Sequence, residues 1–146
     1  MQTFLPSEYF DASAAALDRS RLGKQRVEAL QLLNALAGRS KGWTTHPAAR
    51  MWRGYEAALC VYGIVVCCEW RNRGYKDSVL PKLLAMLPEL TKATQGLVRR
   101  PPWLGDAALH ASHRSNLLRK LPAHYAALGW RDPDCLPYVW PHASLG

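Results

Sequence analysis

Residues 19–38 read RSRLGKQRVEALQLLNALAG, and their spacing decides the fold class. Leu22, Ala29, Leu30, Leu33 and Leu36 recur at helical period along one stripe. Arg21, Lys24, Gln25, Glu28 and Gln31 fall three or four apart, so they share the opposite face. Asp11 is placed as the N-cap of DASAAALD, from which the helix is expected to continue without a break to Gly38, a residue type suited to a helix C-terminus. The basic part of this helix, Arg19 to Arg26, is followed by a single acid, Glu28.

Outward from that helix, SKGWTT reads as a loop, and Thr45 or His46 can cap a helix starting at Pro47, where a missing amide hydrogen is harmless. Its run through MWRGYEAALCVYGIVVCCEW to about Arg73 is apolar nearly all round, which suits the centre of a bundle. SVLPKLLAMLPEL reads as a short helical piece interrupted by Pro81 and Pro88, and TKATQGLVRRPPWLGD as a connection. A last helix starts near Asp106, and Pro122 separates it from AHYAALG. The tail WRDPDCLPYVWPHASLG reads as an extended aromatic strap. The expected architecture is all-α: one compact domain over residues 1–146, with about three principal helices, long irregular connections and an aromatic C-terminal tail.

A chain of 146 residues that is 49% hydrophobic and 21% charged can bury a core of its own. Its longest apolar run, about Ala57 to Cys68, is too short for a membrane span, and the N-terminus lacks the order of a signal peptide. A cytoplasmic, nucleoid-associated monomer is the expectation. Cys60, Cys67, Cys68 and Cys135 form a poor disulfide framework and read as reduced, buried thiols. His110 and His113 alone do not make a zinc site, so neither metal nor organic cofactor is expected.

A net charge of +8 points to a polyanionic partner, most commonly nucleic acid. The cations cluster at Arg19 to Arg26, at Arg50 with Arg53, and at His113-Arg114 with Arg119-Lys120. Ser112, Ser115 and Asn116 beside Arg114 have the short polar groups that suit phosphate oxygens. Trp43, Trp52, Trp103, Trp130, Tyr138 and Trp140 could offer faces to bases, but for each tryptophan a core role is the better reading.

For Glu28 two readings compete. A surface pair with Lys24, worth a few tenths of a kcal/mol, accounts for it by spacing alone. Yet a carboxylate inside a phosphate-binding surface repels its ligand and needs compensating work. Stabilising the positive charge that develops on deoxyribose as an N-glycosidic bond breaks would be such work. The partner would be an amine able to form a Schiff base with the sugar, supplied by Lys24 or by the α-amino group. A reference pKa near 8, against about 10.4 for lysine, gives the α-amine far more neutral form at pH 7.

The stretches MQTFLP, RLGKQRVEALQLLNAL, HPAARMWRGYEAAL, EWRNRGYKD, WLGD with SHRSNLLRK, and LPYVWP together resemble the pyrimidine-dimer DNA glycosylase/AP-lyase family of the phage endonuclease V type, and particularly its bacterial branch. The resemblance implies an N-terminal segment threaded between helices that sets the α-amine beside a helical glutamate. The family's leucine followed six positions later by its catalytic glutamate falls on Leu22 and Glu28. It implies excision of damaged or modified pyrimidines from double-stranded DNA by Glu28 and the amine of Met1, with duplex bending and nucleotide extrusion. The expected DNA contacts are Arg21, Lys24, Gln25, Arg26, His46, Arg50, Arg53, His113, Arg114, Ser115, Asn116 and Arg119.

The chain departs from the phage pattern at Gln2, where that pattern has a small residue exposed by methionine removal, and at Val27, where it has a basic one. Either Met1 supplies the amine, or Thr3 is exposed by processing, or the amine chemistry is absent. Trp52 and Glu56 suit helix packing as well as a site. The alternative function is a non-catalytic module that binds distorted DNA or structured RNA.

Overall fold

Asp18 ends one helix and starts the next. In the computed structural model, which describes residues 1–141, the expected continuous helix from Asp11 to Gly38 is two: α1 (Phe10–Ala16) and α2 (Arg19–Leu36). Leu17 and Asp18 are extended, and the Asp18 side chain accepts from the backbone N–H of Arg21. The carboxylate takes an orphan amide of the new first turn, as an N-cap does. Asp11 caps nothing and lies in the first turn of α1 behind Tyr9.

The expected helix from Pro47 to Arg73 also divides, into α3 (Pro47–Trp52) and α4 (Glu56–Asn72). Gly54 takes φ +89 at the break, a left-handed turn that glycine adopts without a Cβ clash. Its N–H donates to Oε1 of Glu56 at 3.0 Å. His46 caps α3 as expected, its Nδ1 accepting from Ala48. The two prolines do not interrupt α5 (Leu80–Leu90): Pro81 occupies its first turn and the helix runs past Pro88. After α6 (Ala107–Lys120) come α7 (Pro122–Tyr125) and a 3-10 turn at Ala126–Leu128, and no strand occurs among the described residues.

The principal helices α2, α4 and α6 carry the architecture that the periodicity predicts. Helices α2 and α4 cross closely at Gly63, where a Cβ would lie 3.1 Å from the Cβ of Ala29. Leu22, Leu33, Met51, Trp52, Leu59 and Tyr62 are fully buried around this crossing. Of the four free cysteines, Cys60 and Cys67 are buried as expected, whereas Cys68 and Cys135 are exposed. The tail up to Pro141 is without helix or strand and runs along α6, where Ser115 Oγ accepts from Leu136 N at 2.9 Å and Ser112 Oγ from Val139 N at 3.1 Å. The remainder of the expected strap, residues 142–146, lies outside the described residues.

Candidate active site

A buried stretch of chain with no helix or strand must find partners for its amides and carbonyls elsewhere. Residues Gln2 to Leu5 are such a stretch, and side chains from four helices serve them. Gln25 of α2 accepts from Phe4 N at 2.9 Å and donates to Gln2 O at 2.7 Å. Tyr62 of α4 donates to Phe4 O at 2.8 Å. From α6, Nδ1 of His113 accepts from Leu5 N at 2.8 Å and Nδ1 of His110 lies 2.8 Å from Leu5 O. Nε2 of His110 accepts from Gly105 N, so its proton sits on Nδ1 and is donated to Leu5 O. Trp52 Nε1 donates to Thr3 Oγ1 at 2.9 Å. The N-terminal segment is thus clamped into the bundle by five side chains.

This clamp delivers the chain end to Glu28. The backbone N–H of Gln2 donates to Glu28 Oε2 at 3.3 Å, and Lys24 Nζ lies 3.7 Å from Oε1. The Lys24–Glu28 pair therefore exists, with Lys24 largely exposed and Glu28 only 7% exposed. It lines a cavity of about 410 Å³ together with Met1, Gln2, Arg21, Lys24 and Tyr138. Among the described residues no ion pair joins the Met1 amine to Glu28; the hydrogen bond comes from the next residue along. The Gln2 carboxamide spends Oε1 on Thr3 N at 2.9 Å, and its buried Nε2 has no partner among the described residues.

His46 sits within electrostatic reach of both groups. Burial first, and then the positive N-terminal amine, hold its imidazole below the ordinary histidine range, while Glu28 opposes them. Edge-to-face contacts link its ring to Trp43 at 5.5 Å and to Trp140 at 6.0 Å.

The expected DNA contacts separate into two groups. Arg21 and Lys24 line the cavity, Arg21 while paired to Asp18 at 3.1 Å. Arg50, Arg53 and Arg119 are exposed, with Arg53 donating to Thr44 O at 3.3 Å and Arg119 to Asp134 O at 2.8 Å. Gln25, His113, Ser115 and Asn116, by contrast, are buried and already bonded, Asn116 to Ser112 O at 2.7 Å and Leu136 O at 3.0 Å. These side chains face inward in this conformation, Gln25 while also lining the cavity. They hold the N-terminal segment and the tail.

Arg26 is likewise engaged, paired to the buried Asp77 and stacked 4.5 Å over the Trp70 ring. Arg114 forks onto Asp132 at 2.7 and 3.1 Å and donates to Pro6 O at 2.9 Å. Neither presents a free guanidinium. The sequence reading misses Gln2, Ser20, Lys120 and Tyr138 as cavity walls. Lys120 belongs to a basic pair, Gln2 is the departure from the phage pattern and Tyr138 is one of the aromatic residues that could face bases, whereas nothing local marks Ser20.

A family model described as pyrimidine dimer DNA glycosylase matches residues 1–83, more than half of the 146-residue chain. The match takes in the clamped N-terminal segment, Glu28, His46, and α3 and α4 whole. No curated protein and no solved structure matches the chain.

Proposed function

The chain belongs to the pyrimidine dimer DNA glycosylase family, and from that membership we propose that it excises damaged or modified pyrimidines from duplex DNA and then nicks the backbone as an AP lyase, with Glu28 as its carboxylate and the amine of Met1 as its nucleophile. The observation that carries the assignment is Glu28 itself: a buried carboxylate on the wall of an open cavity, bonded to the chain end and flanked by Lys24.

In this reading a neutral amine attacks C1′ of the target nucleotide while the N-glycosidic bond breaks and the base departs with the bonding pair. Glu28, fixed before substrate arrives, stabilises the cationic sugar at no reorganisation cost. Ring opening gives a Schiff base between amine and C1′. Removal of a C2′ proton by the carboxylate then expels the 3′ phosphate, which is the nick. In this reading Met1 is retained ahead of the large Gln2 side chain and supplies the amine. Lys24 is the competing amine, since its Nζ lies 3.7 Å from the same carboxylate.

Arg21, Lys24 and Lys120 around the cavity suit the flanking phosphates, and Arg50 and Arg53 are further exposed cations. The test is a panel of duplexes carrying a photodimer, an abasic site or a modified pyrimidine, scored separately for released base and for strand cleavage. Base release from at least one supports the reading. Salt-dependent binding with neither base release nor strand cleavage on any of them would leave a binding module in its place.

A further inference from the structure

Between Glu28 and Glu56 the chain carries no acid and four cations, Arg39, Lys41, Arg50 and Arg53. All four are exposed. In their midst, on the loop between α2 and α3, stands Trp43. Its side chain is 45% exposed, while Trp52 on the adjoining helix is fully buried. Its backbone takes φ +70, a left-handed conformation that is a genuine outlier for a bulky residue and persists only where surrounding structure holds it. Arg53 donates to the carbonyl of the next residue, Thr44, and His46 packs edge-on against the indole.

The ring is tied to the cavity. Tyr138 forms part of the cavity wall, Trp140 contacts Tyr138 at 5.7 Å, His46 contacts Trp140 at 6.0 Å, and Trp43 contacts His46 at 5.5 Å. A continuous aromatic path therefore leads from the cavity out to an exposed indole within a purely cationic segment. Cations without carboxylates draw a polyanion onto this face, and an exposed indole offers any base a stacking surface. A duplex from which one nucleotide is extruded has an unstacked gap beside that nucleotide.

Resting on the glycosylase reading above, we propose that Trp43 stacks on a base of the bound duplex next to the extruded nucleotide and so fills the gap in the base stack. The held backbone presents the indole before DNA arrives. His46 is its support on the protein side, and Arg50 and Arg53 hold the neighbouring phosphates.

The experiment uses the full chain and a duplex with a stable tetrahydrofuran abasic analogue and 2-aminopurine on the opposite strand. Binding of the wild type is expected to change 2-aminopurine emission severalfold. Trp43→Ala, with an unaltered urea midpoint, is expected to lose most of that change and to release base from a lesion duplex about tenfold more slowly, the scale of one lost stacking contact. Trp43→Phe keeps a ring and should retain most of both signals. The proposal is overturned if Trp43→Ala keeps the emission change, whatever its rate, or if the wild type excises base without any such change. A wild type that neither binds the duplex nor releases base overturns this proposal together with the glycosylase reading, an outcome distinct from the failure of Trp43 alone.

Discussion

The N–H of Gln2 and the carboxylate of Glu28 meet at 3.3 Å across 26 residues of sequence. The contact fixes the carboxylate from the side of the chain end, and it makes the position of Glu28 depend on every side chain that clamps the N-terminal segment. The geometry around Glu28 and the folding of the first residues are therefore linked in this molecule.

Replacing Glu28 by Gln separates charge from shape, because an amide oxygen can still accept from Gln2. Base release and strand cleavage should fall by about 10²- to 10⁴-fold, the usual worth of a positioned carboxylate. DNA affinity should hold or rise, since a charge that repels phosphate is gone. Gel-shift titration beside a single-turnover cleavage assay reads both. Undiminished cleavage would remove Glu28 from the mechanism.

Borohydride reduction during turnover on an abasic duplex should trap a covalent adduct, and proteolysis with mass spectrometry should place it on the peptide that begins at Met1. An adduct on Lys24 would transfer the nucleophile to that side chain. No adduct, with base still released, would make the protein a monofunctional glycosylase.

His113 provides a pH signature. Burial, and then the nearby His110, push its imidazole down to about 3 from the ordinary 6.5. The folded state thus binds fewer protons than the unfolded state between these values, so stability is full above about pH 6.5 and falls as pH drops toward 3, by at most about 1.4 kcal/mol per pH unit from this group. Urea midpoints at pH 7, 5.5 and 4.5 should show the slope. His113→Gln should be less stable at pH 7 yet lose one proton's worth of that slope; an unchanged slope would assign the acid sensitivity elsewhere.

Asp77 has a fully buried side chain that pairs with Arg26 and Arg71 and accepts from Leu80 N at 2.8 Å and Val79 N at 3.2 Å at the start of α5. Asp77→Ala leaves Arg26 without its partner and uncaps the helix, and should cost about 3–5 kcal/mol. The loss should appear in chemical denaturation. A cost under about 1 kcal/mol would mean that the cluster is solvated like an ordinary surface pair.

Much of the fold was legible in local pattern. The period of Leu22, Ala29 and Leu33 marks α2, the apolar run around Leu59 and Tyr62 marks α4, and Pro47 behind His46 marks the start of α3. The breaks were less so. Asp18 fits a helix surface as well as a cap, and it becomes a cap because Tyr125, 107 residues away, donates to its carboxylate.

Sequence alone determined the helical class, the basic charge and Glu28 as the acid worth explaining, because these follow from period, composition and the oddity of one carboxylate after a run of cations. Only the tertiary structure decided what each polar side chain does. His113, Ser115 and Asn116 look in sequence like a phosphate-binding run, and so does Gln25 beside Lys24. They turn inward because the N-terminal segment and the tail bury backbone amides and carbonyls that no helix satisfies, and unpaired buried groups of that kind cost more than any exposed contact returns. The same requirement brings the chain end to Glu28.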